Sequence, residues 1–282
     1  MTHLLRIAAL TAFLTLCMLL PFLPGRYDSL AVPLSMMAQL FGIVGLLLVP
    51  LGVVWIAYEY RSEGKRKRHV FAIVALVASS TVWFIVSLGA MFESVALGVA
   101  ALGLATYVTL RLWPRVSAMR SEPAEGRAGA VSMLPLYLIL VPAAVAIIRI
   151  ALADPAAEFS RSRAIRNAAA LIADLEQHRV ANGRYPRSLV SVHPDYLPGV
   201  IGITQYRYEP SGDAYNVLFE QLSLRIGIKE IVMYNPRGEQ AISSHALDVL
   251  QLSPEQLALD RTRGHNAVHD APRPNWKFFW FD

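Results

Sequence analysis

The sequence HNAVHD, close to the carboxyl end, contains the side chains best suited to binding a metal ion. His265 and His269 are four residues apart, and Asp270 follows the second histidine. On a helix, two imidazoles at this spacing face the same side and can share one zinc ion. However, Gly264 and Pro272 favour a loop, and no glutamate follows His265 to act as a general base. We therefore expect a polar connection with no cofactor, and a zinc site is the alternative.

The contiguous residues Ser243, Ser244 and His245 are the second place where chemistry can be considered. A serine nucleophile needs a base that the fold, and not sequence adjacency, places against its hydroxyl. The G-x-S-x-G turn that presents such a serine does not accompany them. We predict no catalytic residue, and we expect a binding or structural protein more than an enzyme.

The composition is that of a membrane protein. The chain has 282 residues, of which 55% are hydrophobic and 17% charged, and its mean hydropathy is +0.41. A helix crosses the hydrocarbon core with about 20 apolar residues, because every backbone polar group must be paired where water is absent. We predict a membrane helical domain, residues 1–153, with five transmembrane helices. They are residues 4–23, 34–58, 70–91, 95–112 and 131–151.

Three of these spans have competing interpretations. The third and fourth are separated only by residues 92–94, but together they are about twice the length of one span. We predict a tight hairpin with Glu93 at its tip. The first span has the features of a signal peptide, since Arg6 precedes an apolar run, but residues 21–26 contain no A-x-A-like cleavage site. We predict that it is retained as a helix.

The distribution of Lys and Arg predicts how the chain crosses the membrane. Cations near span ends favour the cytoplasmic side. The connections after the second and fourth spans are the basic ones, with Arg61, Lys65, Arg66, Lys67 and Arg68 in one and Arg111, Arg115, Arg120 and Arg127 in the other. We expect a bacterial inner-membrane protein with a cytoplasmic amino terminus and a periplasmic tail. Basic clusters beside spans contact anionic lipids, so nucleic acid is not an expected partner.

The tail, residues 154–282, begins with a predicted amphipathic helix. Asp154 suits the N-cap and Pro155 suits the first helical position. Apolar residues follow at helical spacing: Phe159, Ile165, Ala168, Ala169, Ile172 and Leu175. Charged residues fall largely on the opposite face: Arg161, Arg163, Arg166, Asp174, Glu176 and Arg179. Asn182 and Gly183 supply a left-handed stop.

After this helix the hydrophobic period changes to that of strands. The sequence QYRYEPSGDAYNVLFE predicts a hairpin with its turn at residues 209–213. A third apolar run, residues 228–234, ends at the turn NPRG, and the final WKFFWFD supplies a fourth strand with Trp276, Phe278 and Trp280 in its buried row. The tail is therefore predicted as an α+β domain, with a long helix packed on a small antiparallel sheet.

The tail resembles the type IV pilins and type II secretion pseudopilins. The resemblance lies in the helix ending ALIADLEQHRVANGRYPRSL, the following DYLP and the strand pair YRYEPSGDAYNVLF, and it covers residues 131–219. It implies an apolar helix that continues into an amphipathic one, then a loop and an antiparallel sheet. Pilins that polymerise resemble single-span proteins with a leader and a glutamate early in the helix. Residues 128–138 here contain no acidic residue and follow four other spans.

The functional expectation is therefore a membrane-held module and not a polymerising pilin. We expect a periplasmic pseudopilin-like domain that binds protein partners or takes part in envelope or secretion assembly. Membrane confinement would raise its effective concentration for partners at the same surface. The alternative is an envelope enzyme or transport accessory whose outer domain binds a ligand or metal through His265, His269 and Asp270.

Overall fold

The computed structural model describes most of the chain as helices and a small sheet. The described residues are 2–61, 68–118, 133–191, 195–223, 229–238, 240, 242–243, 248–249 and 268–281. The chain divides into two compact units. The first comprises Met1–Leu19 and Leu30–Leu152, and the second comprises Leu20–Ser29 and Ala153–Asp282. The second unit thus takes in a short early segment as well as the tail.

Five long apolar helical stretches lie in the described residues, as the hydropathy pattern predicts. The first is α1, Thr2–Leu19, extended by a 3-10 turn at Leu20–Phe22. The second contains α2, Ala31–Val44, and α3, Leu48–Arg61. The others are α4, Arg68–Glu93, α5, Val95–Ala118, and α6, Leu134–Asn167. By length and composition, each can span a membrane.

The second of these stretches is not one regular helix. A 3-10 turn at Gly45–Leu47 separates α2 from α3. Pro50 lies just beyond it and has no backbone N–H to give to the carbonyl of Leu46. The turn ahead of the proline therefore tightens to the 3-10 geometry.

The predicted hairpin between the third and fourth spans is present. α4 ends at Glu93 and α5 begins at Val95. The two helices approach closely at Gly98, where an added Cβ would lie 2.8 Å from the Ser87 carbonyl oxygen. Near the other end of the pair, the hydroxyls of Ser80 and Thr109 are 2.9 Å apart.

The long helix that leads into the tail starts earlier than predicted. α6 runs without interruption through Asp154 and Pro155, so neither residue begins a helix. The preceding apolar turns already form the helix, and Pro155 costs one hydrogen bond without requiring a new nucleus. α7, Ala169–Asn182, follows after one residue. Gly183 then ends the helix at φ 73°, as predicted, and its N–H donates to the Arg179 carbonyl.

The described strands of the tail form an antiparallel sheet in the order β1-β2-β3-β7-β6. The strands are β1 Arg207–Ser211, β2 Ala214–Leu222, β3 Lys229–Tyr234, β6 Val268–Asp270 and β7 Trp276–Phe281. The β1–β2 turn is tighter than predicted, because Ser211 already pairs with Ala214. A separate pair consists of β4 Ile242–Ser243 and β5 Asp248–Val249.

Helix and sheet share one apolar core. From the helices it takes Ala164, Ile165, Ala168, Leu171 and Leu175, and from the sheet Tyr215, Val217, Phe219, Val232, Trp276 and Phe278. The alternating pattern predicts one buried sheet face, but the structure also buries three apolar residues on the other face. There Leu218, Met233 and Phe279 are 5%, 2% and 3% exposed.

Candidate functional site

The histidine-rich segment is described only in its last three residues, and these are not helical. Its described part, Val268–Asp270, is a strand, in which His269 stands opposite Phe278. The ring of His269 stacks on Phe278 and contacts Trp280, with centroid distances of 4.9 and 4.2 Å. Asp270 is exposed, and His265 lies outside the described residues. Among the residues that are described, no three His, Cys, Asp or Glu side chains are grouped as metal ligands would be.

The Ser243–His245 segment gives no nucleophilic site in the described structure. Ser243 belongs to the two-residue strand β4. Ser244 and His245 lie outside the described residues. No pairing of a serine hydroxyl with a base can therefore be read at this segment, and the prediction of no catalytic residue stays a prediction.

A buried polar cluster lies instead between α6 and the sheet. It comprises Ser160, Arg161, Gln221, Glu230, Phe278 and Trp280. At its centre, the Nε atom of Arg161 is 3.0 Å from Oε1 of Glu230, with side-chain exposures of 8% and 2%. Arg161 was predicted to lie with the charged residues on the polar face of the helix. That prediction was wrong. The Arg161 side chain lies between the helix and the sheet, where its guanidinium pairs with Glu230 on β3.

The surrounding groups supply hydrogen bonds to both oxygens of the Glu230 carboxylate. Gln221 Nε2 donates to Glu230 Oε1 at 2.7 Å, and Trp280 Nε1 donates to Oε2 at 3.1 Å. The Arg161 guanidinium lies over the Phe278 ring, 3.5 Å from its centroid. Ser160 donates to the amide oxygen of Gln221 at 2.8 Å. Both carboxylate oxygens therefore accept from protein donors, which suits a structural ion pair better than proton transfer.

A second group of polar contacts lies where α7 meets the sheet. The carboxylate of Glu176 accepts hydrogen bonds from Tyr185, at 3.1 Å, and from Tyr215, at 3.0 Å. Arg179 donates to the Tyr185 hydroxyl at 2.8 Å. The rings of Tyr185 and Tyr215 meet edge to face at a centroid distance of 4.7 Å. The contacts join α7 to the sheet through aromatic rings whose hydroxyls are all used.

Burial raises the pKa of several tyrosines in the tail: Tyr196, Tyr208 and Tyr215. It raises the pKa of Tyr208 to about 12, with a smaller contribution from Tyr185. It also raises the pKa of Tyr196 to about 12, helped by the hydrogen bond and the charge of Asp174. The pKa of Tyr215 is raised too, first by burial and then by Glu176. The raised pKa values therefore extend into alkali the range over which these tyrosines are protonated and can donate hydrogen bonds.

The third polar region joins the α1–α2 connection, Leu20–Ser29, to the tail. Pro24 and Val200 form an antiparallel bridge. Ile201 donates its N–H to the Leu23 carbonyl at 3.0 Å, and Gly25 donates to the Gly199 carbonyl at 3.1 Å. The sequence offered no signal for this pairing, because the connection has no apolar alternation and lies far from its partner in the chain.

Comparison of the chain with protein-family models, with curated proteins and with solved structures found no match.

Proposed function

We propose that the protein is a bacterial inner-membrane protein with five spans, a cytoplasmic amino terminus and a periplasmic α+β domain. The domain is pseudopilin-like, and it acts as a binding module for other proteins in envelope or secretion assembly. The observation that carries the proposal is the order of elements. A long apolar helix, α6, continues into α7, which packs on an antiparallel sheet.

The pairing of the α1–α2 connection with the tail supports the proposed topology. The hydrogen bonds of Leu23 and Gly25 to residues 199–201 require both segments to be on one side of the membrane. Four spans separate the connection from the tail, and an even number returns the chain to the same side. The Lys and Arg distribution favours the outer side for both segments. The backbone pairing and the charge distribution thus both support the proposed topology.

The chemistry of the tail also favours binding over catalysis. The carboxylates of Glu176 and Glu230 are both occupied by protein donors. The tyrosines that meet Glu176 have raised pKa values and serve as donors. In the described part of the tail, the polar groups around Glu176 and Glu230 therefore hold the helices on the sheet, and the outer surface is left for partners.

The topology can be tested with reporter fusions. Alkaline phosphatase fused after the last residue is expected to be active, because it folds only outside the cytoplasm, and a fused green fluorescent protein is expected to be dark. The same pair of reporters placed after Arg61 is expected to give the reverse result. If the carboxyl-terminal green fluorescent protein is fluorescent and the phosphatase is inactive, the tail is cytoplasmic and the proposed function is wrong.

The binding role can be tested by photocrosslinking in cells. Val180 and Val190, at 87% and 85% exposure in the tail, are suitable sites for a photoreactive amino acid. Tyr60 is 87% exposed in the first unit and is the matched control, since the proposal puts it on the cytoplasmic side. We expect discrete products with envelope proteins from the two valine sites and not from Tyr60. Products from Tyr60 alone would contradict the proposal.

A further inference from the structure

A groove lies between α1 and α6 within the first unit. Its volume is about 690 Å³, and the eleven residues that line it come from residues 4–19 of α1 and residues 140–148 of α6. Nine of the eleven are apolar, and two are threonines. The Thr15 hydroxyl donates to the Thr11 carbonyl at 2.8 Å, and the Thr11 hydroxyl oxygen is buried. The accessible wall of the groove is therefore almost entirely hydrocarbon.

The size of the groove distinguishes a hydrocarbon chain from a helix as its occupant. At a rise of 1.5 Å per residue, the lining extends over about 12 Å of α6 and about 22 Å of α1. The volume therefore corresponds to a cross-section of about 30–60 Å². A helix with its side chains is about 10–12 Å across, which gives a cross-section of about 80–110 Å². A helix can cover this groove but cannot enter it, whereas a single acyl chain can lie along it.

A polar contact lies just beyond the end of the groove at which both helices begin. Nδ1 of His3 and the hydroxyl of Tyr137 are 3.2 Å apart, and the two rings meet edge to face. His3 directly precedes Leu4 of the lining, and Tyr137 lies about one turn before Leu140. Tyrosine is enriched at the level of the lipid headgroups. The site thus has an apolar body and one polar end, as a phospholipid has.

The bilayer itself supplies the hydrocarbon that this groove fits. Leu4, Leu16 and Leu140 of the lining are 60%, 57% and 39% exposed. Water does not fill apolar cavities, and dispersion attraction requires atoms in contact with such side chains. The lined length is comparable to the depth of one leaflet, which is about 15 Å of hydrocarbon. An acyl chain therefore matches the groove in chemistry, in width and in length.

We propose that the groove between α1 and α6 binds one acyl chain of a membrane phospholipid, whose headgroup lies at the end marked by His3 and Tyr137. This inference rests on the membrane location in the proposed function and adds a ligand to it. Binding depends on close packing of the chain against both helices, because lipid tails elsewhere in the bilayer are equally apolar.

Native mass spectrometry of the full chain in detergent can count the bound phospholipids, with palmitoyl-oleoyl phosphatidylethanolamine as the added probe. Ala8 and Ala12 line the groove and are exposed, so Ala8→Phe with Ala12→Phe places two rings in it. We expect this variant to bind the probe at least about tenfold more weakly, because the rings take the place of several methylene groups. Ala96→Phe with Ala100→Phe is the matched control, since both alanines are exposed on α5 at the same spacing. It should bind the probe like the unchanged protein.

Both double variants should stay monodisperse, and Ala12→Phe alone replaces the groove variant if that one does not. Equal affinity of the groove variant and the unchanged protein for the probe would overturn the inference. A photoreactive amino acid at Ala12 tests the occupant in cells. An adduct with the mass of a phospholipid supports the inference. A crosslinked protein, formed from Ala12 and not from the same amino acid at Ala100, would overturn it.

The proposed function can fail separately from this inference. If the reporter fusions give the proposed topology while the groove variant binds the probe normally, only the inference is wrong. If the chain fractionates with soluble proteins, both the inference and the proposed function are wrong.

Discussion

Arg161 and Glu230 form an ion pair, with Nε and Oε1 3.0 Å apart, in the closed space between α6 and the sheet. The pair favours one register of the helix on the sheet, because Gln221 and Trp280 hold the Glu230 carboxylate within the sheet and only one register brings Arg161 of α6 to it. If one partner were removed, the remaining buried charge would have no water molecules to solvate it. The pair therefore specifies the packing of the tail more than it adds to its net stability.

Removal of one partner is expected to be strongly destabilising. Glu230→Ala leaves the Arg161 guanidinium buried beside Phe278 with no counter-charge. We expect a loss of about 3–5 kcal/mol in the free energy of opening of β2 and β3. Hydrogen exchange with mass spectrometry on the full chain in detergent measures this loss locally. The double variant Arg161→Met with Glu230→Gln should recover a large part of it, because no charge is then buried.

The exposed pair of Arg207 and Glu220 is the control for this experiment. Its atoms are 2.9 Å apart, but the side chains are 56% and 38% exposed. Water already solvates both charges, so Glu220→Gln should change the opening free energy by less than about 1 kcal/mol. Similar losses at Glu220 and Glu230 would contradict the role given to the buried pair.

The raised pKa values of the tail tyrosines predict a loss of stability in alkali. Tyr208 donates to the Pro186 carbonyl at 2.7 Å, and its pKa is raised to about 12. An unfolded tyrosine ionises near pH 10, at about its ordinary pKa. The phenol therefore stabilises the fold fully below pH 10, and this stabilisation is lost as the pH rises through about 12.

Phenolate absorbance during a pH titration measures this effect. The unchanged protein should contain a tyrosine that ionises near pH 12 together with loss of tertiary structure, and Tyr208→Phe should remove one such group. Tyr196, with its pKa also raised to about 12, should continue to titrate there in the variant. Ionisation of Tyr208 in the folded protein at pH 10 would contradict the prediction.

Gly199 and Gly183 both adopt a positive φ, at 70° and 73°, but only one of them is crowded. An added Cβ at Gly199 would lie 2.5 Å from Nδ2 of Asn167, and at Gly183 it would have no atom within 4 Å. Gly183→Ala should cost about 1–2 kcal/mol for the left-handed backbone alone. Gly199→Ala should cost about 1–3 kcal/mol more, because the methyl group displaces Asn167 from the Pro198 carbonyl.

Thermal unfolding of the two single variants, followed by circular dichroism in the aromatic region, compares these costs. Equal shifts of the transition would show that crowding at Gly199 contributes nothing. In that case the contact of Asn167 with Pro198 would not help to hold the 198–203 loop.

The parts of the fold that the sequence predicts correctly depend on local chemistry. Long apolar runs must be helical in lipid, which predicts the five long apolar helices and the hairpin at Glu93. Gly183 ends α7 because only a residue without Cβ adopts the left-handed backbone at little cost. The third and last strands follow from apolar alternation and from the turn at NPRG.

The features missed by sequence reasoning depend on contacts between distant residues. Arg161, Arg163 and Arg166 look alike in sequence, yet only the first is buried against Glu230. Glu230, inside the third apolar run, was the one available signal in the sequence, because an acidic residue in a core strand needs a partner. No comparable signal indicated that Leu20–Ser29 belongs to the same unit as the tail. The two segments pair through their backbones, and backbone pairing does not require particular side chains.

The hairpin of α4 and α5 allows a last prediction within the first unit. Gly98 and Gly103 both lie on α5, five residues apart. An added Cβ at Gly98 would be 2.3 Å from Cγ of Met91 and 2.8 Å from the Ser87 carbonyl oxygen, whereas one at Gly103 would meet nothing within 4 Å. Gly98 therefore marks the surface on which the two helices touch, and Gly103 marks a surface free of such contact.

Alanine at these two positions is expected to act in opposite directions. Gly98→Ala should cost about 1–3 kcal/mol, because the Ser87 carbonyl is backbone and α4 must move away to make room. Gly103→Ala should stabilise α5 by about 0.5–1 kcal/mol, since alanine loses less backbone freedom in a helix. The temperature at which half of the detergent-solubilised protein stays monodisperse reports both changes. A Gly98→Ala variant as stable as Gly103→Ala would mean that α4 and α5 do not pack through this glycine, and the Ser80–Thr109 hydroxyl contact would then have to hold the hairpin without it.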